Sequence, residues 1–186
     1  MNYFELFEIP VSLQIDKNYL QQKYFALQKK FHPDFFSNES EEDQTDMLER
    51  SSMVNKAYKI FQDDDLTIQY VLQLKELINE DEKYELPPDF LMEMMELNEA
   101  IMDVDDSSLE EMETKISQLQ KHLYDQVQNI IEYFSEDRTT NEQLLQVKDF
   151  YYKKKYLKRI LERLEGMRNI ASQNWSDRPG LITDKM

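Results

Sequence analysis

The 186-residue chain contains no cysteine, which excludes disulfide staples, thiolate-ligated zinc or iron-sulfur centres, and thiol nucleophiles. Its two glycines, Gly166 and Gly180, cannot supply the turns of a many-stranded sandwich or barrel, nor a glycine-rich phosphate loop. An all-β fold is excluded. Only two histidines are present, and neither a catalytic triad nor a carboxylate cluster with ligand spacing occurs, so no enzyme, metal or cofactor is expected. No window approaches the ~18 apolar residues of a spanning helix. The opening Met1-Asn2-Tyr3-Phe4-Glu5 has no basic leader region, and a soluble, cytoplasmic protein is expected.

What the chain has is charge. Against 22 Lys and Arg stand 38 Asp and Glu, a net −16 that opposes binding to nucleic acid or anionic membranes over the chain as a whole. Two basic segments are exceptions. Residues 17–31 hold Lys17, Lys23, Lys29 and Lys30 and no acid, so the rest of the chain sums to −20 once that +4 is taken from the total. Between 148 and 163, Lys148, Lys153, Lys154, Lys155, Lys158, Arg159 and Arg163 face only Asp149 and Glu162. That second cluster reads as a solvated face partly paired with acidic neighbours, as an aid in seizing an acidic stretch of a client, or, against the global charge and without base readout, as a nucleic-acid surface.

Hydrophobic spacing predicts helices throughout. Phe4, Leu6, Phe7 and Ile9 open the chain and stop at Pro10. Asp16 is placed to cap a helix carrying Leu20, Tyr24, Leu27 and Phe31 on one stripe, ending before Pro33. Met47, Val54, Ala57, Tyr58 and Phe61 mark the next helix, which Asp63-Asp64-Asp65 breaks, and Ile68 to Leu74 predict a short fourth. Pro87-Pro88 reads as a hinge. Three long segments follow, 89–102, 109–134 and 141–170, which short connections make antiparallel, as in a three-helix bundle. The domain expectation is 1–76, a connector at 77–88, the bundle at 89–171, and a loose tail at 172–186.

His32-Pro33-Asp34 sits where two amphipathic helices turn back on each other. By itself it is an ordinary tight turn. Pro33 is expected to make the His32 and Asp34 side chains diverge, which speaks against an acid-base pair, and His122 is expected on a helix surface. The acid-free helix before the tripeptide offers a cationic dock for an acidic partner, and Asn55-Lys56-Ala57-Tyr58 lies on the helix that packs against it.

Residues Tyr3 to about Asp63 together resemble the J-domains of DnaJ-type co-chaperones: a short aromatic helix, a basic helix, the His-Pro-Asp loop, and a helix carrying Asn-x-Ala-Tyr. The resemblance implies that Lys23, Lys29 and Lys30 contact a DnaK-type chaperone ATPase and that His32, Pro33 and Asp34 trigger its ATP hydrolysis. Many members carry Lys directly after the tripeptide; here Phe35-Phe36 follows.

In the first bundle segment Phe90, Met94, Leu97 and Ile101 form one stripe, while Leu91, Met92 and Met95 fall on the opposite side. Those three pack on the first domain, or are ordinary exposed side chains, or form a partner-binding patch suited to flexible Met. Tyr152 and Tyr156 likewise stand off the Phe150, Leu157, Leu164 stripe. This half, with Asp89-Phe90-Leu91-Met92-Glu93, Glu96-Leu97 and the connector Gln69-Tyr70-Val71-Leu72-Gln73-Leu74, resembles the HscB-type J-domain co-chaperones of iron-sulfur cluster assembly. That resemblance implies an all-α, L-shaped two-domain protein, a helical-hairpin J-domain plus three-helix bundle. It further implies an HscA-like chaperone ATPase as one partner, and an IscU-like scaffold protein held by Leu91, Met92, Met95 and Tyr156 as the other. Family members often have Arg-Ala before the connector's Tyr, where this chain has Thr67-Ile68-Gln69.

Overall fold

The computed structural model describes residues 1–32, 34, 40–79, 82–102 and 108–176, with side chains to Met167. All regular structure in these residues is helical: α1 Tyr3–Phe7, α2 Lys17–Lys30, α3 Glu41–Gln62, α4 Asp64–Leu74, α5 Pro88–Met102, α6 Leu109–Asp125, α7 Gln128–Glu132 and α8 Asn141–Ser176. The chain divides into two compact units, one of residues 1–82 with 127–151 and one of residues 83–126 with 152 onward. Among the described residues no helix is long and apolar enough to cross a membrane, and no three His, Asp or Glu side chains gather as a metal site.

Capping sets the boundaries of the first four helices. Asn2 and Glu5 form a reciprocal capping box at α1, and Glu8 closes it in the left-handed region at φ 53°, two residues before Pro10. Asp16 caps α2 by accepting from the Tyr19 amide at 2.6 Å. Asp63 both ends α3 and starts α4: its carboxylate accepts from the amides of Asp65 and Leu66 at 2.8 and 3.1 Å. The buried Thr67 hydroxyl points at the carbonyl oxygens of Asp63 (2.8 Å) and Ile60 (3.1 Å), which seals the corner.

The first unit is built around Phe61, which is fully buried. Phe4 lies 4.6 Å away between ring centroids, Phe7 meets it edge-on at 5.5 Å, and Tyr3 stacks on Tyr70 at 4.8 Å beside them. α2 runs antiparallel to α3, because Lys17 reaches the Phe61 carbonyl while Gln28, further along α2, reaches Asn55. The Asn55, Ala57, Tyr58 motif is the seam. Asn55 Oδ1 accepts from the Tyr24 hydroxyl (2.9 Å) and the Gln28 amide (2.8 Å), Ala57 is fully buried, and Tyr58 stacks on Tyr24 at 3.9 Å.

Leu144, Val147, Phe150 and Tyr151 of α8 are also buried in this unit. Lys148 bonds the Leu77 carbonyl at 2.7 Å and Glu82 at 2.5 Å, and Lys75 pairs with Glu136. The second unit buries Phe90, Met94, Leu97 and Ile101 from α5, Ile116 and Leu123 from α6, and Leu157, Ile160 and Leu164 from α8.

Two expectations need correction. The segment expected as one helix over 109–134 is interrupted: α6 ends at Asp125, and Val127 starts α7 from φ −118°, ψ −1°. Across the interruption Val127 and Ile131 are buried, while Ile130 and Phe134 are half-buried. At the C-terminus α8 runs to Ser176, past the last periodic residue; the remainder of the tail lies outside the described residues.

Burial of the Tyr151 hydroxyl pushes its pKa above the usual tyrosine value of about 10, with repulsion from Asp65 adding to it. The neutral phenol is therefore favoured in the folded chain. Its contribution is complete below about pH 10 and is lost as pH rises through the higher folded value, since the unfolded chain ionises first. Denaturation measured from about pH 9 to 11 should show a weaker alkaline loss of stability in Tyr151→Phe; an unchanged slope refutes this account.

Candidate functional site

The four lysines of the basic helix divide by their position around α2. Lys17 and Lys23 flank the buried stripe and are drawn into local structure. Lys17 Nζ bonds the Phe61 carbonyl at 3.0 Å and Asp64 at 2.5 Å, tying the start of α2 to the α3–α4 corner. Lys23 Nζ lies 3.7 Å from the Glu8 carboxylate and 3.4 Å from the Glu8 carbonyl, which the left-handed Glu8 turns toward it. Lys29 and Lys30 are exposed on the last turn, Lys30 with its ammonium 5.4 Å from the Phe31 ring centroid. The outward cationic face is thus narrower than the charge count implies.

Next to it, the His32 side chain is 49% exposed and that of Asp34 85%. The expectation that they diverge is wrong. The Asp34 amide donates to His32 Nδ1 at 3.3 Å, and Asp34 Oδ2 lies 3.6 Å from the same nitrogen. Pro33 itself, like Phe35 and Phe36, lies outside the described residues. Both side chains remain open to a partner surface. His122, exposed on α6, lies 3.1 Å from the Gln126 amide one turn on.

α5 has two apolar faces, and the structure separates them cleanly. Phe90, Met94, Leu97 and Ile101 are at most 5% exposed, while Leu91, Met92 and Met95 are 37, 64 and 62% exposed. Sequence reasoning missed Met102, which is 68% exposed. At 100° per residue it returns to within about 20° of Leu91, so the i, i+4, i+11 spacing of Leu91, Met95 and Met102 was the available signal.

Tyr156 of α8 is half-buried, its ring 6.4 Å from that of Phe90 and nearly perpendicular to it. Tyr152 is a turn earlier and stacks on Tyr84 at 4.4 Å. Tyr156 therefore meets the buried stripe of α5 at Phe90, while Tyr152 meets the segment before that helix. The basic cluster around it is not uniform: Lys148 is engaged as described, Lys153 sits 5.6 Å from the Phe90 ring centroid, and Lys158, Arg159 and Arg163 are exposed.

Comparison with known proteins is decisive here. The co-chaperone protein HscB homolog of Shewanella woodyi is 34% identical over 171 residues, covering 89% of this chain and 97% of the relative. The chain belongs to the HscB co-chaperone family. A Vibrio cholerae HscB homolog is 35% identical over 134 residues, covering 69% of this chain and 78% of its own length. The HscB C-terminal oligomerisation domain matches residues 86–165, which contain the two-faced α5 and the aromatic edge of α8. Solved HscB structures agree in fold. Chaperone HscB from Vibrio cholerae superposes with a TM-score of 0.69 at 29% identity, covering 92% of this chain and 99% of that one. Human co-chaperone HscB gives 0.73 at 29%, covering 90% and 82%. The all-α, two-domain HscB architecture is the one found here.

The division among the lysines predicts different costs. Lys17→Ala should lower stability by about 1 kcal/mol, since it removes a bond to a backbone carbonyl as well as a half-exposed ion pair. Lys29→Ala should stay within about 0.5 kcal/mol. Urea denaturation of both variants checks this, and equal costs contradict it.

Proposed function

We propose that this HscB-family co-chaperone serves iron-sulfur cluster assembly in the cytoplasm by bringing an IscU-like scaffold protein to a DnaK-type, HscA-like ATPase and stimulating its ATP hydrolysis. One observation carries the reading: α5 presents exposed Leu91, Met92 and Met95 on the face opposite a fully buried stripe. An apolar face that the fold leaves in water is suited to a partner, and unbranched Met adapts to the partner's contour. Burying each such side chain is worth roughly 1.5–3 kcal/mol, enough in sum to hold a folded client. Met102 lengthens the patch, and Tyr156, which packs on Phe90 of the same helix, is the further residue assigned to the scaffold.

The chaperone side is the other unit. There Lys29 and Lys30, with Lys23 held against Glu8, orient an acidic ATPase surface, and His32, Pro33 and Asp34 deliver the stimulus. Neither role requires this chain to bind nucleotide or metal, and the two surfaces belong to different units of the chain.

Steady-state ATPase of a purified DnaK-type chaperone tests both halves. His32→Gln should abolish stimulation with melting unchanged, because an exposed loop side chain contributes little stability. Changing Leu91, Met92 and Met95 together to Ala should remove scaffold binding and the client-dependent increment while stimulation without client persists. Retained scaffold binding in the triple variant would assign the bundle to a different client, and normal stimulation by His32→Gln would overturn the co-chaperone mechanism.

A further inference from the structure

Phe25, in the middle of α2, is 62% exposed. It lies on the side of the helix away from buried Leu20 and Leu27, with Gln21 and Gln22 about a turn before it and Lys29 a turn after. The fold has no use for an aromatic ring there, because a side chain that keeps most of its surface in water contributes little to the core. It is nevertheless firmly carried. The ring of Tyr24 lies 5.8 Å from that of Phe25, and Tyr24 is itself pinned by its stack on Tyr58 and its bond to Asn55.

The segment around Phe25 is free of acids in a chain of net −16, so an acidic surface is the complementary occupant of this face. Charge brings such a surface in and orients it, while most interface energy comes from a few large, rigid side chains buried inside a polar rim. Phe25, ringed by Gln21, Gln22 and Lys29, has that arrangement.

We propose that Phe25 is the apolar anchor of the α2 docking face, entering an apolar recess on the chaperone ATPase whose acidic rim meets Lys29. The assignment rests on the chaperone-docking reading above and adds a division of labour: the lysines govern encounter, and Phe25 governs how long the complex lasts.

The test is a titration of a purified DnaK-type ATPase with the full-length protein and with Phe25→Ala, Phe25→Leu, Lys29→Glu and His32→Gln, at low and high salt. Phe25→Ala should raise the half-saturating concentration about tenfold or more. Its plateau at saturation and its response to salt should match those of the unmodified protein. Phe25→Leu should stay within about threefold, and Lys29→Glu should weaken coupling and blunt the salt response. The Phe25→Ala melting curve should coincide with that of the unmodified protein.

A Phe25→Ala titration that overlays the unmodified one, while His32→Gln is silent, overturns the anchor and leaves the docking reading intact. Equal losses for Leu and Ala, or a much lower melting temperature, also overturn it, since neither fits a solvent-facing apolar contact. An unmodified protein that stimulates nothing overturns the docking reading and the anchor with it.

Discussion

The stack of Tyr24 on Tyr58, closed by the two hydrogen bonds that Asn55 accepts, holds α2 antiparallel to α3. Everything that α2 presents to solvent depends on that seam. A short polar helix with four lysines and no acid has little reason to stay folded in water, since isolated helices of this length are marginal. Pinned at its middle by aromatic stacking and at its start by Lys17 on the Phe61 carbonyl, it becomes a rigid bar. On that bar Lys29, Lys30 and Phe25 occupy fixed positions, and His32 follows directly after its end. The fully buried Ala57 shows the same constraint from the α3 side, because a larger side chain there would push the helices apart.

In the second unit the governing feature is surplus. α5 carries more large apolar side chains than its inward face can use, and four of them remain in water. Natural helices of small domains ordinarily balance one apolar stripe with a polar back. Keeping Leu91, Met92, Met95 and Met102 exposed costs solubility and returns no core stability, which is the ground for the binding role proposed above. The inward stripe, meanwhile, fixes the orientation of the helix, so the outward patch is held in place without contributing to its own support.

Much of this was legible in the chain. Asp16 marks a helix start by local chemistry alone, Asp63 and Pro87-Pro88 mark breaks, and the Leu20, Leu27, Phe31 and Phe90, Met94, Leu97, Ile101 stripes follow from a 3.6-residue period that any helix must obey. Other features were hidden. The break after Asp125 has no proline or glycine to announce it and reflects which side chains the neighbouring elements can bury. The fate of each lysine was equally out of reach: Lys17 and Lys29 are the same residue in the same helix, and only the position of Phe61 and Asp64 separates an anchored one from a free-standing one.

The sequence by itself determined that this protein is all-helical, that a basic helix leads into His32-Pro33-Asp34, and that α5 has two apolar faces, because these follow from residue type and spacing along one chain. Tertiary structure alone decided that Leu91, Met92 and Met95 stay exposed, that His32 and Asp34 approach one another, that Lys23 leans on Glu8, and that Phe25 stays outside. The physical reason is the same in each case. Periodicity states which side chains share a side of a helix, whereas burial and pairing depend on what the rest of the chain places opposite that side.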